Sequence, residues 1–164
     1  MIRNIIILFF LLFVFGCDSN RIYEKNLEID NKSWSLADAK VFETEIKDTN
    51  TVFNILINIR HTSSYSFSNL WMFVHTTSPN SIITSDTVQV AIANPSGKWL
   101  GSRGLADIWN VQAKLKSIRF TQQGAYSFEI EQAMRYGEFA EMKTLNDIVD
   151  VGLRIEKQDK KDYD

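Results

Sequence analysis

One cysteine, two histidines and no excess of basic charge are the scarcities that bound this chain of 164 residues. With Cys17 alone, the chain can form no internal disulfide, no CxxC redox pair and no thiolate cluster for zinc. His61 and His75 each lack a second ligand two or four residues on, so the spacing supplies no zinc or copper site, and they read as a turn residue and a strand residue. Lys and Arg number 18 against 20 Asp and Glu, a net charge of −2 with no basic stripe, which excludes nucleic acid as the expected partner. Neither GxSxG nor SxxK occurs, and no repeat of fixed period is visible.

Long apolar runs are also missing, with one exception at the start. Arg3 is followed by Ile5 to Phe15, eleven residues without a polar side chain, and then by Gly16 and Cys17. The run is too short to span a bilayer and has the length of a secretory signal core. A small residue directly before a cysteine is what lipoprotein processing requires, so residues 1–16 read as a lipoprotein signal peptide and Cys17 as the lipidated first residue of the mature chain. Attachment through several acyl chains is lasting, whereas one chain binds only reversibly. Cleavage leaves 148 residues, enough for one domain that folds on packing alone.

Residues 17–33 are polar and mixed in charge, and read as the lipidated N-terminus and tether. From Ala39 onward the apolar period is two. Phe53, Ile55, Ile57 and Ile59 share one face; so do Val88, Val90 and Ile92; Tyr126, Phe128 and Ile130; and Val149, Val151, Leu153 and Ile155. A weaker strand is expected over 39–47. Leu70 to Val74 is apolar on both faces, which predicts a central strand with Trp71 in the core. In 111–121 the apolar parity slips between Leu115 and Ile118, which predicts a β-bulge near Lys116 or Ser117. Turn chemistry at 48–50, 79–81, 94–97 and 122–124 separates these segments. Arg103 to Asn110 and Phe139 to Ile148 are short helix candidates. The expected fold is all-β, an antiparallel β-sandwich of jelly-roll type with seven or eight strands and one or two short helices over 34–156, followed by a charged tail at 157–164.

The segment Gly97-Lys98-Trp99-Leu100-Gly101-Ser102-Arg103-Gly104 offers glycines and a lysine, yet its order is not that of a phosphate loop and no βαβ setting surrounds it. It reads instead as a loop that either packs Trp99 as a cap or presents it for recognition, and Lys98, Trp99, Arg103 and Trp109 are the candidate interaction residues. Glu129 and Glu131 share a strand face, which suggests a carboxylate pair for glycoside hydrolysis but equally the solvent side of any strand. Trp34, Trp71, Trp99 and Trp109 could form a sugar-stacking platform, which the core reading of Trp71 weakens. No catalytic residue, metal or cofactor is assigned.

Asp86-Thr87-Val88 through Gly97-Lys98-Trp99-Leu100-Gly101, then Glu131-Gln132-Ala133-Met134-Arg135 and Asp150-Val151-Gly152-Leu153-Arg154-Ile155-Glu156, together resemble the gliding motility lipoprotein GldH family of Bacteroidota. The stretch from Arg60 to Phe73, with Tyr65, Phe67, Asn69 and Leu70, is similar as well. The resemblance covers nearly the whole mature chain, and Phe15 departs from the tightest lipobox. It implies a noncatalytic accessory of the gliding machinery, linked to type IX secretion and surface adhesin movement. Such an accessory would sit in the cell envelope at the outer membrane, with the membrane and other gliding-machinery envelope proteins as partners and no small-molecule ligand. The competing reading is an envelope carbohydrate-binding module that uses exposed tryptophans. The third is a hydrolase using Glu129 or Glu131.

Overall fold

The computed structural model describes residues 19–138 and 141–158, which build two packed antiparallel sheets. In chain order the strands are β1 (Arg21–Glu28), β2 (Ser33–Ser35), β3 (Lys40–Ile46), β4 (Val52–Thr62), β5 (Asn69–Thr77), β6 (Ile83–Ala91), β7 (Ser102–Arg103), β8 (Ile108–Arg119), β9 (Gly124–Gln132), β10 (Thr144–Asn146) and β11 (Ile148–Lys157). A 3-10 turn at Asp30–Lys32 is the one helical piece among the described residues. One sheet runs β1-β11-β4-β8-β7 and the other β3-β9-β5-β6, while β2 and β10 form a separate short ribbon.

Leaving aside the short β2, β7 and β10, eight long strands remain, and they pair outside in: β1 with β11, β3 with β9, β4 with β8 and β5 with β6. First meets eighth, second meets seventh, third meets sixth and fourth meets fifth. A long hairpin wrapped around itself gives this pairing, which is the jelly roll expected from the sequence.

The alternating apolar residues meet between the sheets. Ile55, Ile57 and Ile59 of β4 and Val151, Leu153 and Ile155 of β11 face Leu70, Met72 and Val74 of β5 and Phe128 and Ile130 of β9, all of them buried. The bulge predicted in 111–121 is present: Ile55 pairs with Lys116 and Leu56 with Lys114, so Leu115 is the extra residue. That insertion lets Val111 and Ala113 before it and Ile118 and Phe120 after it all serve the interior, although their parities differ.

Several expectations need correction. The segment 17–33, read as a tether, contains β1, which pairs with β11 along its length and supplies the strand that completes the jelly roll. Arg103 to Asn110 is no helix; it holds the end of β7, a hairpin turn and the start of β8. Phe139 to Ile148 is no helix over its described part, which carries β10 and the first residue of β11, while residues 139 and 140 lie outside the described residues. Trp71 is not core. Its strand is central, between β9 and β6, but its side chain is on the open face of the sheet and 38% exposed. Trp34 is the reverse, fully buried with Nε1 donating to the Asp38 carbonyl at 2.8 Å, so it cannot belong to a surface platform. The signal peptide, Cys17 and the tail beyond Gln158 lie outside the described residues.

The winding sorts the connections. At one end lie the chain entry at Asn20, the exit at Lys157 and three short turns, 47–51, 78–82 and 120–123. Lys157 donates its backbone N–H to the Asn20 carbonyl at 2.8 Å, which ties entry to exit. The other end carries the longer connections 29–39, 63–68, 92–107 and 133–147, including β2, β7 and β10. A strand of eleven residues such as β4 separates the two ends by about 35 Å.

Candidate functional site

Long loops on a rigid sheet are where recognition residues concentrate, and here the loop end is joined to the core by aromatic side chains. His61 continues the inward row of β4 beyond Ile59 and is fully buried. Its Nδ1 lies 2.8 Å from the Thr62 carbonyl, which accepts, so Nδ1 carries the proton. Nε2 then bears a lone pair, and it has no hydrogen-bond partner among the described residues. Burial lowers the imidazole's pKa, opposed by the bond to Thr62, and the ring is neutral at physiological pH. It is therefore a strand residue, not the turn residue the sequence suggested.

Around it the rings form a chain. Trp99 meets His61 edge-on at 5.0 Å between centroids, and Tyr65 lies 5.6 Å from His61 on another side. Tyr65 donates its hydroxyl to the Asn69 carbonyl at 2.9 Å and touches Phe67, which in turn touches Tyr136 at 5.8 Å. The chain ends in solvent, where Tyr136 is 64% exposed.

The four candidate residues of the sequence come together at this end in different states. Trp99 is half-buried and held by a bridge to Ala93, so it is a cap on the core. Lys98 is exposed beside a turn in which the Asn94 side-chain oxygen accepts from the backbone N–H groups of Ser96 and Lys98. Arg103 pairs with Trp109 in the β7–β8 register and binds Asp107 at 2.7 Å. Trp109 is half-buried, opposite His61 across β4 and β8.

Sequence reasoning missed Leu105. It stands 91% exposed at the tip of the β7–β8 hairpin, followed by Ala106 and Asp107, both at positive φ (52° and 62°). The tip is braced: the Asp107 carboxylate accepts from Ser63 Oγ and from Arg103, and both bonds lower its pKa. A large apolar side chain on a braced, left-handed turn is held out to solvent by its surroundings.

Beside this end the open face of the β3-β9-β5-β6 sheet carries a groove of about 420 Å³. Phe67, Trp71 and Phe73 give it apolar walls, and Asn69, Thr87 and Arg135 give it polar ones. Glu129 and Glu131 lie farther along the same face of β9, Glu129 exposed and Glu131 3.3 Å from His75 Nε2. His75 Nδ1 is itself bonded to Ser85 Oγ at 2.7 Å. This is a cross-strand polar cluster on an open sheet. Among the described residues no group of three or more His, Cys, Asp or Glu side chains is placed to hold a metal ion.

The arrangement suits macromolecular recognition, with exposed aromatic and aliphatic side chains at an end that also exposes Lys98, Arg103 and Arg135. The sequence pattern of the GldH lipoprotein family matches residues 21–155. The chain is 33% identical to a gliding motility lipoprotein GldH homolog of Christiangramia forsetii over 156 residues, 94% of each chain. It is 30% identical to gliding motility lipoprotein GldH of Flavobacterium johnsoniae, over 94% of this chain and 96% of that one. Among solved structures it is similar to the VP2 subviral particle of infectious bursal disease virus, at 16% identity and a TM-score of 0.36, covering 85% of this chain and 34% of that one.

Proposed function

Since the chain belongs to the GldH lipoprotein family, we propose that it serves gliding motility as a noncatalytic docking protein, held in the envelope by lipid on Cys17. The loop end of the sandwich would engage another envelope protein of the gliding machinery. The observation that carries this reading is the division of the jelly roll into two unlike ends. Entry, exit and short turns lie at one, four residues from Cys17. Leu105, Tyr136 and the aromatic chain lie at the other, about 35 Å away.

A partner reaching an anchored protein from the cell envelope meets the loop end first. Exposed Leu105 and Tyr136 supply the apolar anchors that interface centres use, and most of each side chain is left open to solvent although Tyr136 also meets Phe67. In the same reading the protein sits at the outer membrane and supports type IX secretion of surface adhesins. A photo-crosslinking side chain placed at position 105 or 136 in living cells should capture one gliding-machinery protein, and the same side chain at Lys47 should not. Equal capture at all three positions, or none at any, contradicts the reading.

One observation favours a second reading, an envelope carbohydrate-binding module. Trp71 is exposed in a groove that also holds Asn69, Thr87 and Arg135, and indole faces flanked by hydrogen-bonding groups suit sugar rings. The platform would then be built on Trp71 and not on Trp34. Titration of the protein with chitin and cell-wall oligosaccharides should shift tryptophan fluorescence if this holds, and Trp71→Ala should abolish the shift.

A further inference from the structure

We infer that the end of the sandwich bearing the chain termini rests on the surface of the phospholipid bilayer, with Ile82 and Ile83 inserted between headgroups and acyl chains. This rests on lipid attachment at Cys17. The first consideration is reach. Three residues separate Cys17 from Arg21, where β1 begins, so four residue-to-residue steps join them. Each spans at most about 3.5 Å, so the start of β1 stands no more than about 14 Å from the lipidated residue. That is less than half the length of the sandwich, and a domain so closely held keeps this end at the membrane.

The second consideration is what the end exposes. Ile82 and Ile83 are 57% and 65% exposed, and Ile22, at the irregularity near the start of β1, is 41% exposed. Ile82 and Ile83 sit at the β5–β6 connection, which is rigidly built. The Ser78 backbone N–H bonds to the Ile82 carbonyl at 3.0 Å, Ser81 N–H to the Ser78 carbonyl at 2.9 Å, and Ser78 Oγ to Asn80 at 2.6 Å. Ser81 takes φ 63° to close it. The apolar surface continues inward from Ile82 into a cleft of about 180 Å³ between the sheets, lined by Ile55, Ile118, Phe120 and Phe128.

The third consideration is charge. Arg21, Lys47, Arg119 and Lys157 are exposed around this end. Of the nearby acids, Glu24 pairs with Arg21 at 2.7 Å, Asp48 bonds to the backbone of Asn50 and Thr51, and Glu156 pairs with Arg154, which leaves Lys47, Arg119 and Lys157 as the cations of this end, while Glu45 stays exposed on the outer sheet face. Aliphatic side chains within a ring of cations are what a headgroup boundary accepts, because apolar groups leave water while the cations remain among phosphates.

The test uses the full-length lipidated protein in phospholipid vesicles. Lipid occupies the thiol of Cys17, so in Ile83→Cys or Leu105→Cys the introduced thiol alone takes a nitroxide label. Collision of each label with oxygen, which concentrates in the bilayer, and with a water-soluble nickel complex then reports its surroundings. The label at 83 should favour oxygen several-fold more than the label at 105. Equal exposure of both labels to nickel on protein that floats with the vesicles overturns the inference and leaves the anchor intact. A label at 83 shielded from both reagents means that protein covers it, which also overturns the inference. Protein that fails to float removes the anchor and the inference together.

Discussion

The imidazole of His61 meets the indole of Trp99 edge-on, with centroids 5.0 Å apart and ring planes at 65°. The contact joins the last inward residue of a core strand to the loop that carries Lys98 and leads to the β7–β8 hairpin. The loops at this end therefore share the stability of the core, and His61 is a buried titratable group at their junction.

Burial holds the His61 pKa below its ordinary value in the folded protein, while in the unfolded chain it returns to about 6.5. As pH falls below about 6.5 the unfolded state takes up the proton first, so stability declines down to the folded pKa and is unaffected by this group above about 6.5. Urea midpoints at several pH values should show this acid-side loss, and His61→Gln should flatten it relative to the parent. An unchanged slope in the variant would show that carboxylates alone account for it.

The loop is also fixed by glycine, in two different ways. Gly97 and Gly101 both have positive φ (81° and 78°), but a Cβ on Gly97 meets nothing within 4 Å, whereas one on Gly101 would lie 2.0 Å from the Asn110 carbonyl oxygen. Gly97→Ala should cost about 1 kcal/mol, the price of a left-handed alanine. Gly101→Ala should cost clearly more, about 2–3 kcal/mol, because backbone must move, and it should shift Trp99 fluorescence. Denaturant melts of the two variants compare these directly.

Across the sandwich, Lys116 at the bulge reaches Asp86 on the edge strand β6. Asp86 shares the inward row with Val88 and Val90, so an acid points into an otherwise apolar margin and is met by a cation. The double-mutant cycle of Lys116→Met and Asp86→Asn should show a coupling of about 0.5–1 kcal/mol. Zero coupling would mean that the pair does not help hold β6 against β8.

Most of this fold is legible from the period of two. β3, β4, β5, β6, β8, β9 and β11 fall on the segments read as strands, and the parity slip after Leu115 locates the bulge. β1 escapes because it is an edge strand. Only Tyr23 and Leu27 face the core, its other residues are mostly charged or polar, and the irregularity at Ile22 breaks the alternation. Trp71 misleads for a different reason. Apolar residues on both faces usually mean burial on both sides, but the outer face of β5 is open and its aromatics line a groove. His61 had a signal, since it keeps the parity of Phe53, Ile55, Ile57 and Ile59. Leu105 and Tyr136 had none, because a loop gives side chains no period from which exposure could be read.

The lipid anchor makes its own prediction. Cells fed radiolabelled fatty acid should label the full-length protein, and Cys17→Ala should abolish the label, release the protein from the membrane fraction and impair spreading. Labelling that survives Cys17→Ala would place the lipid elsewhere.

The central claim is that an anchored, correctly folded sandwich works through its loop end. Spreading of cells that carry Leu105→Asp together with Tyr136→Ser tests it most directly. Both side chains are largely exposed, so stability should change by less than about 0.5 kcal/mol per substitution. With abundance and fatty-acid labelling equal to the parent, the account predicts cells that no longer spread. Spreading at the parental rate would contradict it.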